Sequence, residues 1–131
     1  SGHGVATLDG RIYVFGGAKN SGGYRVYNPL IDAWEAMSGT MPATRSYGFR
    51  AVAVEDNIYL FGGLRAGLPV DEVIVLDSQT SSWSIKTSMP DVRYNIGGAI
   101  WNNAVYLFGG RKQGANELAT VWRYDLLLDP R

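Results

Sequence analysis

The sequence contains no cysteine and only one histidine, His3. The absence of cysteine excludes disulfide bonds and thiol chemistry, and it leaves the redox compartment open. One histidine with scattered carboxylates does not give the ligand spacing of a metal centre, so no bound metal and no cofactor are predicted. Because His3 lies close to the first residue, a Ser-His-Asp catalytic set is not predicted either.

The sequence also lacks an excess of charge of either sign, since 12 basic residues balance 12 acidic ones. A neutral chain argues against general nucleic-acid binding. No apolar run approaches about 18 residues and no charged-then-apolar leader is visible, so neither a membrane span nor a signal peptide is predicted. A soluble protein is therefore expected, with the cytoplasm as the favoured compartment.

The sequence does contain a repeat. Phe-Gly-Gly occurs three times, beginning at Phe15, Phe61 and Phe108, so the spacings are 46 and 47 residues. Each triplet ends an apolar run. Other features repeat in register with it, namely Trp34 with Trp83, Met41-Pro42 with Met89-Pro90, and Arg45 with Arg93. A period of this length predicts an architecture built from repeated units.

The second unit shows what each repeat is predicted to form. Residues 51–54 and 58–61 are short apolar runs on either side of a turn at 55–57, which predicts a β-hairpin. Both runs are apolar at nearly every position, so both faces of these strands should be buried. A third strand over 72–76 and a fourth that opens at Trp83 complete a four-stranded sheet. No stretch has a helical apolar period, and the chain is therefore predicted to be all-β.

A four-stranded sheet with a buried inner pair is typical of a β-propeller blade, because neighbouring blades cover both of its faces. Trp34 and Trp83 are large enough to fill the gap between adjacent blades. We predict that both lie in the core between blades, together with Tyr13, Tyr59 and Tyr106.

The pattern resembles the kelch repeat, whose period is about 50 residues. The resemblance rests on the double glycine after an Ile/Val-Tyr run, on the Tyr27/Trp34 pair and on a Met-Pro-x-x-Arg link. The second unit keeps Trp83 but has Leu76 where the tyrosine is expected, and the third has Tyr124 without a following tryptophan. The resemblance covers essentially the whole chain and implies a kelch β-propeller.

Three units amount to half of a six-bladed ring, within the range of about four to eight blades that propellers use. The predicted blades span about 1–44, 45–92 and 93–131, and the third is expected to lack its outer strand. Two alternatives stay open: a fragment of a longer propeller, or a half-ring that closes by pairing with a copy of itself. In both, the apolar flanks of the first and third blades predict self-association or contact with missing blades of a parent chain.

The direction of the strands predicts which loops share a face. In an antiparallel blade, the loop between the second and third strands lies on the same face as the link to the next blade. Most basic residues fall on this face, whereas the opposite face receives mainly acidic residues. Arg and Tyr are enriched in binding hot spots, and the arginine fork suits carboxylates. The predicted binding residues are Arg45, Tyr47, Arg50, Arg65, Arg93, Tyr94, Asn95 and Arg111.

The sequence therefore predicts a non-catalytic scaffold that binds an acidic peptide or protein through this face. Arg50 is placed in an innermost strand, where it would line the central channel. For Arg45 and Arg93 the kelch resemblance implies a structural alternative, a clamp between blades. The alternative function is a carbohydrate-binding or sugar-modifying propeller similar to sialic-acid mutarotase, with Glu72 and Glu117 beside those two arginines.

Overall fold

The computed structural model describes residues 3–17, 23–35, 41–42, 47–112 and 117–126. Within these ranges the chain forms thirteen β-strands, and no helix long and apolar enough to cross a membrane occurs among them. The strands make three antiparallel sheets and one two-stranded ribbon.

The three sheets follow one another along the chain and are named blades 1, 2 and 3. Blade 1 consists of β1 (Gly4–Leu8), β2 (Arg11–Phe15), β3 (Tyr24–Asn28) and β4 (Ala33–Glu35). Blade 2 consists of β5 (Arg50–Val54), β6 (Asn57–Phe61), β9 (Val73–Asp77) and β10 (Ser82–Lys86). Blade 3 consists of β11 (Gly97–Trp101), β12 (Ala104–Phe108) and β13 (Val121–Asp125). A ribbon of β7 (Leu64–Arg65) and β8 (Leu68–Pro69) lies in the loop between β6 and β9 of blade 2. The predicted all-β fold is confirmed, and the described part of blade 3 has three strands.

Two-residue turns connect the first and second strands of each blade. Asp9-Gly10 joins β1 to β2 with φ values of 52° and 75°, and Asn102-Asn103 joins β11 to β12 with 49° and 61°. Glu55 begins the corresponding turn of blade 2 at a φ of 53°. Tight hairpin turns need positive φ, which Gly, Asn and Asp accept most readily. These turns fix the register in which the strands pair.

Burial is greatest in blade 2, because a sheet packs against each of its two faces. Successive residues of β6 enter different hydrophobic clusters: Ile58 and Leu60 face blade 1, whereas Tyr59 and Phe61 face blade 3. All four side chains are fully buried. This two-sided packing explains why the run is apolar at every position. Blades 1 and 3 are each covered on one side within the described residues, and their strands are correspondingly more exposed.

The glycine pair that follows β6 lets the link between blades 2 and 3 pass close by. Gly62 and Gly63 have φ values of 61° and 97°. A Cβ atom built at Gly62 would lie 2.5 Å from the backbone oxygen of Arg93. Only glycine allows both this conformation and this approach, which explains why the repeat carries a double glycine after its second strand.

The two repeated tryptophans differ in their surroundings. Trp83 packs edge-on against blade 1, with its ring centroid 6.1 Å from that of Phe15 and 5.8 Å from that of Tyr24. Trp34 is instead 55% exposed. The prediction of a core position is therefore correct for Trp83 but not for Trp34, because Trp34 faces the side of blade 1 that no described sheet covers.

Replacing Trp83 with alanine is expected to lower the free energy of unfolding by roughly 3 kcal/mol, since it leaves a cavity between blades 1 and 2. Trp34→Ala is the matched control at the equivalent strand position, and we expect it to cost less than about 1 kcal/mol. Urea denaturation followed by circular dichroism at low protein concentration measures both. Equal losses would contradict the packing of Trp83.

Candidate functional site

The candidate site is the face made by the links between blades and the loops between second and third strands, here called the loop face. Its described segments include 47–49, 62–72, 87–96, 109–112 and 117–120. Because consecutive strands are antiparallel, these segments emerge at the same edge of the three sheets.

Backbone hydrogen bonds connect neighbouring segments of the loop face. They include those from Leu64 N–H to the Tyr47 carbonyl (2.9 Å), from Gly63 N–H to the Arg93 carbonyl (2.9 Å) and from Asn95 N–H to the Gly48 carbonyl (2.7 Å). Arg111 N–H also donates to the Tyr94 carbonyl at 2.8 Å. A backbone held in this way presents its side chains without a large ordering cost on binding.

The links into blades 2 and 3 have the same local structure. Residues 47–50 lead into β5 as residues 94–97 lead into β11. The second residue of each of these four-residue stretches has positive φ, 80° at Gly48 and 56° at Asn95. Asparagine is one of the few residues other than glycine that adopts this conformation readily. The shared turn brings Tyr47 and Asn95 to the surface of the loop face, where both are exposed.

Arg50 is exposed on the wall of the central groove. Its Nη2 donates to the backbone oxygen of Gly98 at 2.9 Å. Gly98 leaves room for this side chain, because a Cβ atom there would lie 3.1 Å from the Cγ of Arg50. In the strand register Arg50 stands where Gly4 and Gly97 stand in the other blades. The side chain therefore projects a charge into a groove of about 470 Å³ lined by the three innermost strands.

Other cations of the loop face have acidic partners nearby. Arg65 Nη1 lies 2.5 Å from Glu72 Oε1, and Arg111 Nη2 lies 3.5 Å from Glu117 Oε1. A third pair, between Lys112 and Asp91, lowers the pKa of the Asp91 carboxyl, chiefly through its hydrogen bond to the ammonium group. These pairs offset much of the basic character that the sequence predicts for this face. Among the described residues, Arg50 takes part in no ion pair.

Arg93 is buried, with 1% of its surface exposed. Its Nη1 donates to the Gly109 carbonyl at 2.8 Å, and its Nη2 bonds the Thr120 hydroxyl at 2.8 Å. The guanidinium also lies over the Trp122 ring, 3.8 Å from the ring centroid. Burial lowers the pKa of Arg93 from its ordinary value, although an arginine stays charged at neutral pH. This environment favours the structural alternative, a clamp between the link and blade 3.

The predicted binding residues thus fall into groups. Arg50 lines the central groove, Tyr47 and Asn95 are exposed on the links, and Tyr94 is half-buried there. Arg65 and Arg111 are paired with acidic residues, Arg93 is buried, and Arg45 lies outside the described residues. Sequence reasoning did not find the role of Gly98. The available signal was a glycine at position 98, where the other units have Val5 and Ala51.

A second concave region lies between blades 2 and 3, beside β13. It has a volume of about 410 Å³, and the side chains that line it include Met89, Pro90, Trp122 and Tyr124. Within the described residues, no group of three or more His, Cys, Asp or Glu side chains could hold a metal ion.

Comparison with known proteins supports the repeat pattern. The KLHDC2/KLHL20/DRC7 Kelch-repeats domain matches residues 2–128. The chain belongs to the kelch-repeat family. The resemblance inferred from the Phe-Gly-Gly repeats is thereby confirmed, and the three sheets are kelch blades.

Several curated kelch proteins are similar to this chain. Kelch-like protein terF of Aspergillus terreus is 32% identical over 139 aligned residues, covering 93% of this chain and 30% of that protein. N-(sulfonatooxy)prop-2-enimidothioate sulfolyase of Thlaspi arvense is 29% identical, covering 95% and 39%. Rab9 effector protein with kelch motifs of Xenopus laevis is 33% identical over 87 residues, covering 60% and 24%. This kelch chain therefore spans less than two-fifths of the length of each of these relatives.

Arg93→Met is expected to lower the free energy of unfolding by roughly 3 kcal/mol, because hydrogen bonds to a charged group contribute about 1.5–3 kcal/mol each. Arg50→Met removes the same charge from an exposed position and is expected to cost less than about 1 kcal/mol. Urea denaturation of the two variants provides the comparison. A similar small loss for both would show that Arg93 is not a clamp.

Proposed function

We propose that this kelch chain is a protein-interaction scaffold that binds an acidic peptide or protein segment on the loop face, with Arg50 as the central contact. The observation that carries the proposal is the environment of Arg50. Its guanidinium is exposed in a groove, one of its donors is bonded to a backbone oxygen, and it forms no ion pair among the described residues.

The residues around Arg50 suit a peptide ligand. An arginine fork matches the geometry of a carboxylate, and tyrosine supplies a large contact area with a polar tip. Tyr47 and Asn95 reach the surface on the two links that flank the start of β5 and β11. Because the links are hydrogen-bonded to each other, binding need not order them first.

Two relatives support different classes of function. The Xenopus laevis relative is named as an effector protein, which fits a scaffold, whereas the Thlaspi arvense relative is named as an enzyme. A shared fold does not decide between them. Of the described residues named for a sugar site, Glu72 and Glu117 each pair with a loop arginine and Arg93 is buried, so these charges are already engaged within the chain. We therefore favour the scaffold.

The predicted association with another copy of the chain, or with further blades, concerns a different surface. It would use the outer flanks of blades 1 and 3, whereas the binding proposal concerns the loop face. A peptide on the loop face and a neighbour on a flank are therefore compatible.

The binding proposal is tested with fluorescein-labelled peptides of equal length, one rich in glutamate and one rich in lysine. We expect the acidic peptide to bind and Arg50→Glu to weaken it at least about 10-fold, since one charge-assisted hydrogen bond contributes about 1.5–3 kcal/mol and 1.4 kcal/mol corresponds to tenfold. The measurement is fluorescence anisotropy at two salt concentrations. Affinity should fall with salt, because exposed charges are screened over about 8–10 Å.

Arg11→Glu is the matched control, because Arg11 is a partly exposed arginine at the start of β2, at the edge of blade 1 opposite to the loop face. It makes the same charge change and should leave the affinity within about twofold, given that surface substitutions are worth about 0.5 kcal/mol or less. Equal weakening by both variants would indicate an effect of net charge only. Unchanged binding by folded Arg50→Glu would remove Arg50 from the site.

A further inference from the structure

The two contacts between blades differ in how they cover the tyrosine in the second strand of the earlier blade. Between blades 2 and 3, Tyr59 is completely buried, and its ring packs edge-on against Tyr124 with the centroids 5.9 Å apart. Between blades 1 and 2, the equivalent Tyr13 is only partly buried. In the strand register Leu76 of blade 2 stands where Tyr124 stands in blade 3, so a smaller side chain faces Tyr13.

A second position of the later blade increases this difference. The N–H of Ser78 donates to the Asp56 carbonyl as the N–H of Leu126 donates to the Asn103 carbonyl, so Ser78 and Leu126 occupy the same place in blades 2 and 3. Leu126 packs against the hydrophobic cluster that contains Tyr59. Serine has a shorter side chain than leucine, and it therefore leaves space at the contact between blades 1 and 2.

This space is a cavity of about 240 Å³. It lies at the turn face, which is formed by the turns between first and second strands and between third and fourth strands, opposite to the loop face. Its described walls belong to blades 1 and 2 and include Tyr13 and Tyr24, whose rings stack with their centroids 6.4 Å apart. Pockets for drug-sized ligands have volumes of about 300–1,000 Å³, so this cavity suits a smaller molecule.

Charged side chains surround the cavity where the second contact has neutral ones. Arg11 Nε donates to Glu35 Oε1 at 2.5 Å. In blade 2 the same register positions hold Asn57 and Ser84. A guanidinium has five donors and a carboxylate accepts at two oxygens, so the pair keeps hydrogen-bonding capacity for a ligand. The carboxylate of Asp9 lines the same cavity.

The combination of groups favours a neutral ligand with adjacent hydroxyls. An anion would approach the carboxylates of Asp9 and Glu35, and a cation would approach the guanidinium of Arg11, so like charges disfavour both. A hydroxyl can instead accept from the guanidinium while its neighbour donates to a carboxylate. Burial raises the pKa of the Tyr13 phenol, which therefore stays neutral and can donate or accept, as can the amide of Gln79.

We propose that the cavity between blades 1 and 2 binds a neutral monosaccharide unit. Arg11 and Glu35 bond neighbouring hydroxyls of the sugar, and the ring of Tyr13 packs against its carbon atoms. The cavity lies at the turn face and shares no residue with the acidic-peptide site or with the residues named above for a sugar site. The inference therefore does not rest on the proposed function.

The test is a titration of the isotope-labelled chain with D-glucose, D-galactose and D-mannose, followed by nuclear magnetic resonance. The readout is the indole N–H of Trp83, whose Nε1 is buried and whose ring centroid lies 5.8 Å from that of Tyr24. We expect a saturable shift with at least one hexose and a dissociation constant on the order of 1 mM, because a ligand of few atoms binds weakly. D-Glucuronate and D-glucosamine add a charge of either sign and should bind at least about 10-fold more weakly.

Two variants remove the site in different ways. Ser78→Leu fills the cavity with the residue that Leu126 supplies in blade 3, and it should abolish the saturable shift. Glu35→Gln keeps the size of the side chain but removes a charged acceptor, and it should weaken binding about 10-fold. Circular dichroism checks that each variant is folded, and Glu35→Gln decides alone if Ser78→Leu is not.

Glu117→Gln is the matched control. Glu117 also pairs with an arginine, at 3.5 Å, but it lies on the loop face. The variant makes the same change as Glu35→Gln and should leave the affinity for the hexose within about twofold, because surface substitutions are worth about 0.5 kcal/mol or less.

Three results would overturn the proposal. The absence of a saturable shift with every hexose would mean that the cavity takes no neutral sugar. Binding of D-glucosamine or D-glucuronate that is as tight as that of the hexoses would make it a site for charged ligands. Hexose binding that survives in the folded variants would place the sugar elsewhere. None of these results bears on the acidic-peptide proposal, whose readout is the affinity at Arg50.

Discussion

The structure depends on one constraint: a β-sheet that is apolar on both faces must be covered on both sides. Blade 2 meets it, because blades 1 and 3 pack against its opposite faces and fully bury residues 58–61 of β6. The outer blades meet it on one side each within the described residues. The exposed positions of Trp34 and Phe108 follow from this difference, since Phe15 and Phe61 are fully buried and Trp83 is partly buried where a neighbouring sheet is present.

The covering of one blade by the next also organises the loop face. The link into blade 3 passes over the double glycine of blade 2, and its Arg93 then enters blade 3 to bind two of its loop oxygens. Arg93 thus holds two blades together. Arg50 lies where the other blades have glycine, and it remains exposed. Structural and binding roles are thus separated between two residues of the same type.

Much of the fold could be predicted from the sequence, because the spacing of Phe-Gly-Gly and the apolar runs determine the period and the strands. The orientation of the loops and the burial of Tyr59 follow from the same pattern. The candidate site could be predicted less well from the sequence. Whether an arginine is buried, as Arg93 is, or paired, as Arg65 is, depends on carbonyls and carboxylates that come together only in the folded chain. The exposure of Trp34 likewise depends on a neighbouring sheet and not on the tryptophan itself.

The unequal burial of the blades also determines how readily each one opens locally. In repeat architectures each unit is stabilised mainly by its nearest neighbours. Strands β6 and β9 are hydrogen-bonded on both edges and packed on both faces, whereas most of β11 is exposed. Amide protons of the middle blade should exchange with solvent only when the whole chain unfolds, and those of the outer blades by smaller openings. Local opening is therefore expected to occur in blades 1 and 3 more readily than in blade 2.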